Sequence, residues 1–190
     1  MMKSVRQIQL LLIAISLTLT TVAAEDPWDR FLMACSQGNL ADVQALLERN
    51  PQYAKKQSSD GETCLHVAGI LGQTDVTKLA LKHGADPNSR SGYSGGLRMT
   101  PLAWNTYGGH VETAKALLEG GADPNLDMDD MKDQMVKVTV LDILHKNVLH
   151  QYEDNEANRK DPNIGRHFQM YDALMEHGAK FYKDLATEDL

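Results

Sequence analysis

Seven histidines, two cysteines and a run of acids are the residues of this 190-residue chain whose types could do chemistry. His145, His150 and His167 lie near one another in sequence and invite a metal-ligand or acid/base reading. His145 and His150 are five apart, however, and do not share one helix face as an i, i+4 metal pair would. The acidic run Asp127-Met128-Asp129-Asp130-Met131-Lys132-Asp133 lacks the glycine and the distal Glu spacing of a calcium loop. Cys35 and Cys64 are candidate nucleophiles, yet nothing around them marks a site. There is no Gly-rich phosphate loop, no nucleophile elbow and no metal-binding Cys array. An enzyme reading therefore rests on the three late histidines alone, as a hydrolase or a metal-dependent enzyme.

The elements that must position these residues announce themselves by repetition. Thr63-Cys64-Leu65-His66, Gly72 and Gly84-Ala85-Asp86-Pro87-Asn88 recur as Thr100-Pro101-Leu102-Ala103, Gly109-His110 and Gly121-Ala122-Asp123-Pro124-Asn125. Every landmark moves by the same 37 residues. A fixed period in this range marks a stacked-repeat architecture. Weaker copies flank the pair: Ala34, Gly38-Asn39, Val43 and Leu46-Leu47 before it, and Thr139-Val140-Leu141 with Leu174 to Ala179 after it.

Within each copy, Thr63 and Thr100 stand where a helix N-cap is needed. Pro101 follows at the first helical position, where its missing N–H is harmless. Gly72 and Gly109 separate a short helix from its antiparallel partner. Val76, Leu79 and Ala80, then Val111, Ala114, Leu117 and Leu118, give the outer helices an apolar stripe. Gly84 and Gly121 suit left-handed C-caps, and the Asp-Pro-Asn segments turn the chain into an extended finger.

These motifs resemble the ankyrin repeat, whose period is about 33 residues with a Thr-Pro-Leu-His-x-Ala core. The resemblance is specific over the two central copies and departs at Cys64, where the family has Pro, and at Ala80-Leu81, where it has a Leu pair. It implies an all-α solenoid of about four helix-turn-helix repeats with β-turn fingers. The expected repeats run over about 28–58, 59–92, 96–129 and 136–180, the last with an insertion at 146–166. There Leu141, Leu144, His145, Val148, Leu149 and Tyr152 predict a long helix, and Phe168, Tyr171, Leu174 and Met175 its returning partner. Together they read as a long capping helical hairpin.

The resemblance also disposes of most of the chemistry. His66 and His110 fall where the family uses histidine for internal hydrogen bonds. His83 and His177 precede the glycines that end outer helices and can meet the last carbonyls. Cys35 and Cys64 could pair in an oxidising compartment. Their different heights along neighbouring inner helices favour two separate small buried residues instead.

The N-terminus carries a second message. Lys3 and Arg6 precede a mostly apolar run from Ile8 to Leu19, and Val22-Ala23-Ala24 offers small residues for cleavage. This three-part pattern predicts a signal peptide over 1–24 and an exported repeat domain over 25–190, periplasmic or secreted. Losing Lys3 and Arg6 leaves 17 basic residues against 26 acids, a net charge of −9. That argues against nucleic acid or anionic lipid as the main partner.

The residues left over by the repeat are candidates for binding a protein partner. The inner helices offer Ile70, Leu71, Trp104 and Tyr107, and the long fingers offer Tyr93, Leu97, Arg98, Met128, Asp129 and Met131. Trp and Tyr are enriched at interface hot spots. The expected protein is a monomer without cofactor or catalytic residues, acting as a scaffold for an exported enzyme or as an immunity-type inhibitor of a toxin.

Overall fold

The computed structural model describes residues 26–92, 98–129 and 137–185. The expected signal peptide and the finger residues Tyr93, Leu97 and Met131 lie outside them. By compactness the chain divides at Arg30 into two units. Of the first, the described part is the start of helix α1 (Pro27–Gln37), where Asp26 Oδ1 accepts the Trp28 N–H at 2.9 Å. The second unit is Phe31–Leu190.

Helices come in antiparallel pairs. After α1 comes α2 (Leu40–Arg49), followed by a 3₁₀ turn at Pro51–Ala54. Then α3 (Cys64–Ile70) pairs with α4 (Thr74–Lys82), and α5 (Pro101–Gly108) with α6 (Val111–Glu119). A short hairpin of β1 (Met128–Asp129) and β2 (Lys137–Val138) follows, with Met128 opposite Val138 and Asp129 opposite Lys137. The fourth pair is α7 (Val140–Asn147) and α9 (Gly165–Glu176), separated by a 3₁₀ turn at Leu149–Gln151 and by α8 (Glu156–Lys160). A final turn of helix, α10, covers Tyr182–Leu185. Inner helices α3, α5 and α7 pack in series, and outer helices α2, α4, α6 and α9 form the second layer.

Local chemistry explains these boundaries. Thr100 Oγ1 accepts the Ala103 N–H at 3.3 Å at the start of α5. Thr139 and Asp142 form a reciprocal capping box at the start of α7. Between the layers, Leu47, Leu65, Leu102, Leu117, Leu141 and Leu174 are fully buried. Complete burial of such a side chain contributes about 2 kcal/mol each.

The turns joining paired helices need glycine. Gly72 sits at φ +72° and a β-carbon there would lie 2.5 Å from His110 Nδ1. Gly121 has φ +91° but open space around it. Gly72→Ala therefore combines left-handed strain with a clash and is expected to cost more than 2 kcal/mol, whereas Gly121→Ala carries only the strain of about 1 kcal/mol. Parallel urea titrations of the two variants check this ordering.

Two expectations fail in detail. The apolar stripe from Leu141 to Tyr152 is not one long helix: α7 ends at Asn147, and Val148 breaks it with φ −132° and ψ −62°. Leu149 is still buried, so the stripe recorded burial through a 3₁₀ turn rather than helical continuity. The first arm of the cap is consequently an inner helix of normal length. In the returning helix Met175 points outward, and Met170 and Ala173 fill the core beside Phe168 and Leu174.

The cysteines are the second correction. Cys35 and Cys64 form a disulfide with Cα atoms 5.6 Å apart. The separate-residue reading took equal positions in the repeat as neighbours, which would place the two about five residues of helix, roughly 7.5 Å, out of step. The same approach recurs one repeat on, where a β-carbon at Gly69 would lie 3.1 Å from the Pro101 carbonyl, and Gln73 bonds the Ser36 carbonyl as His110 bonds that of Ile70; the end of one inner helix thus meets the start of the next in the ordinary stacking of the repeats.

Candidate functional site

The inner-helix wall is built from residues that the core does not need. In α3 and α5 the buried positions are Cys64, Leu65, His66, Ala68 and Gly69, then Pro101, Leu102, Ala103, Asn105 and Thr106. The alternate face is left to Val67, Ile70 and Leu71, and to Trp104 and Tyr107. No charged side chain occurs in α3 or α5. Leu71 is 50% exposed, Tyr107 39% and Met33 of α1 49%, so this wall presents apolar surface to solvent. Ile70 is half-buried, and Trp104 lies edge-on against His66 with ring centroids 5.5 Å apart. Of the candidates on this wall, Leu71 and Tyr107 are the most exposed, and Trp104 packs against His66.

His66 holds two repeats together beneath that wall. Its Nδ1 accepts the Thr63 N–H at 3.1 Å, with Thr63 Oγ1 at 2.9 Å, and its Nε2–H donates to the Met99 carbonyl at 3.0 Å. Only the neutral imidazole satisfies both sides. Burial pushes its pKa down to about 4, partly opposed by the hydrogen bond to Met99. His110 Nε2 likewise bonds the Ile70 carbonyl at 3.2 Å, and Asn105 Nδ2 donates to Gly69 and His110 carbonyls, each at 3.1 Å. His177 Nδ1 lies 2.9 Å from the Ala173 carbonyl at the end of α9. The consensus histidines are thus structural fasteners.

The fingers are stitched in the same fashion, by a ladder that the sequence motif did not reveal. Asn88 donates to Gly121 O at 3.0 Å and accepts the Asp123 N–H at 2.8 Å. One repeat on, Asn125 donates to Gly178 O at 3.0 Å and accepts the Lys180 N–H at 2.7 Å. The same asparagine rung therefore joins the third repeat to the fourth. Arg90 pairs with Asp127 at 3.5 Å, and Lys137 pairs with Asp129 and with Asp127. Asp129 is accordingly engaged in the finger base. Met128, read as an adaptable binding tip, is instead buried: strand alternation turns it inward and Asp129 outward. Arg98 is exposed, in left-handed backbone at φ +42°.

The late histidines do not converge. His145 lies edge-on to Phe181 at 5.7 Å, His150 is exposed, and His167 is half-buried with its pKa lowered by desolvation and then by Arg166. Among the described residues no group of three or more His, Cys, Asp or Glu is arranged to hold a metal ion. No described helix is long and apolar enough to cross a membrane.

Paired short helices in two layers, bonded finger to finger and carrying an apolar inner wall, define a helical-repeat interaction scaffold. The family of ankyrin repeats, in three copies, matches residues 31–128, and the chain belongs to it. Among curated proteins it is 34% identical over 106 residues to palmitoyltransferase AKR1 of Lachancea kluyveri, covering 54% of this chain and 14% of that one. It is 32% identical over 93 residues to ankyrin repeat and SAM domain-containing protein 6 of Rattus norvegicus, covering 49% of this chain and 10% of the relative. With the NF-kappa-B inhibitor cactus of Drosophila yakuba the identity is 37% over 71 residues, 37% of this chain and 14% of the relative. The match thus spans no more than about a seventh of the length of these three relatives. Ankyrin repeats are in general non-catalytic modules for protein–protein interaction. The family match stops at residue 128, before the fourth helix pair and its insertion.

Proposed function

We propose that this chain is an exported, non-catalytic binding protein that grips a protein partner with its inner-helix wall and the stems of its fingers. The observation that carries the reading is the uncharged wall of α3 and α5, with Leu71 and Tyr107 turned to solvent in an otherwise acidic chain. Apolar surface of this kind, rimmed by polar fingers, is typical of interaction sites. A neutral or basic partner accords with the net charge of −7, or −9 without residues 1–24. Among the relatives, cactus is named as an inhibitor, which accords with the inhibitor form of this reading.

Export is supported by the signal-like sequence of residues 1–24 and by the Cys35–Cys64 bridge, since disulfides persist mainly in oxidising compartments. Affinity capture of the mature protein from its own cells tests the binding reading. A Leu71→Ala/Tyr107→Ala protein is expected to lose the partner by at least tenfold, or more than about 1.4 kcal/mol. Equal capture by both proteins would contradict the wall as the site. Fractionation of the same cells checks export, with a species shortened to about Glu25 expected outside the cytoplasm.

A further inference from the structure

The first helix pair is fastened to its neighbour by other means than the later pairs. Asn88 lies beside Gly121 and Asn125 beside Gly178, and each donates to that glycine's carbonyl and accepts an N–H two residues on. In the finger that leaves α2, the residue beside the corresponding glycine is Lys55, whose Cε is 3.8 Å from where a β-carbon on Gly84 would stand. An ammonium group has donors but no acceptor, so the reciprocal rung cannot close there. His66, which ties α3 to the Met99 carbonyl, has Leu32 as its counterpart 34 residues earlier. The third pair lacks that histidine too, with Ala103 in its place, but keeps the Asn125 rung; the first pair has neither. In their place stand the Gln73 side chain, donating to the Ser36 carbonyl at 3.0 Å, and the Cys35–Cys64 bridge. The bond from the Gly92 N–H to the Asp60 carbonyl, 2.8 Å, lies further along, where the chain enters α3.

The bridge also governs one end of the apolar wall. Met33 of α1 stands 34 residues before Val67, itself 37 before Trp104, and is 49% exposed. Both sulfurs are fully buried, so a thiol in solution reaches them only while the pair is open. Closure is a thiol–disulfide exchange with a small disulfide as oxidant. The two cysteine thiols give up two electrons, one sulfur–sulfur bond forms as the other breaks, and the two protons leave on the released thiols. Once closed, the bridge keeps an opening first pair tethered, which lowers the chain entropy that opening gains.

We propose that the Cys35–Cys64 bridge is an oxidation latch for the first helix pair. Oxidised, α1 and α2 are held on the array; reduced, they open locally while the later pairs stay folded. Met33 then joins the wall in full only after oxidation, a consequence that rests on the binding reading above. Hydrogen–deuterium exchange of the full chain tests the latch without a partner. It compares the oxidised protein, the same protein refolded and kept in dithiothreitol, and Cys35→Ala/Cys64→Ala. The reduced protein retains both sulfurs and so separates the bridge from the packing. Its α1 and α2 amides are expected to exchange at least about tenfold faster than in the oxidised protein, with a several-fold smaller acceleration in α5 and α6. The double variant is expected to be indifferent to dithiothreitol, and glutathione disulfide to restore slow exchange in the reduced protein. Acceleration as large in α5 and α6 as in α1 and α2, complete unfolding included, would make the bridge a staple of the whole domain and overturn the latch. Unchanged exchange in α1 and α2 would overturn it as well. Since no partner enters the experiment, the latch and the binding wall can fail separately.

Discussion

Replacing Cys35 and Cys64 together by alanine is expected to lower the unfolding free energy by about 3 to 4 kcal/mol. The bridge closes a loop between residues 29 apart in sequence, and cross-linking such a loop removes that much conformational entropy from the unfolded chain. Both sulfurs are fully buried, so the lost packing adds to the effect rather than offsetting it. In a domain of this size the melting temperature should fall by roughly 10 °C. The first repeat should suffer most, because the bridge ties α1 covalently to α3. Urea denaturation of the oxidised protein and of the double variant measures the difference, and a change below about 1 kcal/mol would mean that the pair is not bridged in solution.

The second large effect belongs to His66. Its imidazole titrates near 6.5 in an unfolded chain and near 4 in the fold, where burial penalises the charged form. Between these values the unfolded chain binds the proton and the native protein does not. Stability is therefore full above about pH 6.5, declines as the pH falls, and has lost this contribution once it passes about 4. A displacement of this size corresponds to about 3 kcal/mol. His167 acts in the same direction but is largely solvent-screened, so its share is smaller. The signature lies in the slope: His66→Leu is less stable at neutral pH, since it loses the bonds to Thr63 and Met99, yet its stability varies far less between pH 6.5 and 4. Urea midpoints at half-unit pH intervals read this, and parallel slopes for the two proteins would contradict the role assigned to the histidine.

The disulfide and the histidine mark what sequence alone could reveal. Thr63, Gly72 and their 37-residue echoes Thr100 and Gly109 are local signals, because caps and left-handed turns are decided by neighbouring residues. The helix pairs were legible for that reason. The Cys35–Cys64 bridge was not, because it depends on which end of one inner helix faces the start of the next. Met128 was read as a surface methionine among acids, although the order Asp127-Met128-Asp129 already alternated as a strand would. The Asn88 and Asn125 rungs were hidden inside a turn motif, their partners a whole repeat away. On the wall, sequence supplied Leu71 and Tyr107, and burial was needed to rank them above Trp104.

In the proposed function the uncharged inner wall, not the outer layer, meets the partner. Hydrogen–deuterium exchange of the captured complex against the free protein tests it most directly. Slower exchange is expected in α3, in α5 and in the finger stem at residues 98–100, with α4 and α6 unchanged. Protection confined to α4 and α6, with α3 and α5 exchanging as in the free protein, would contradict it.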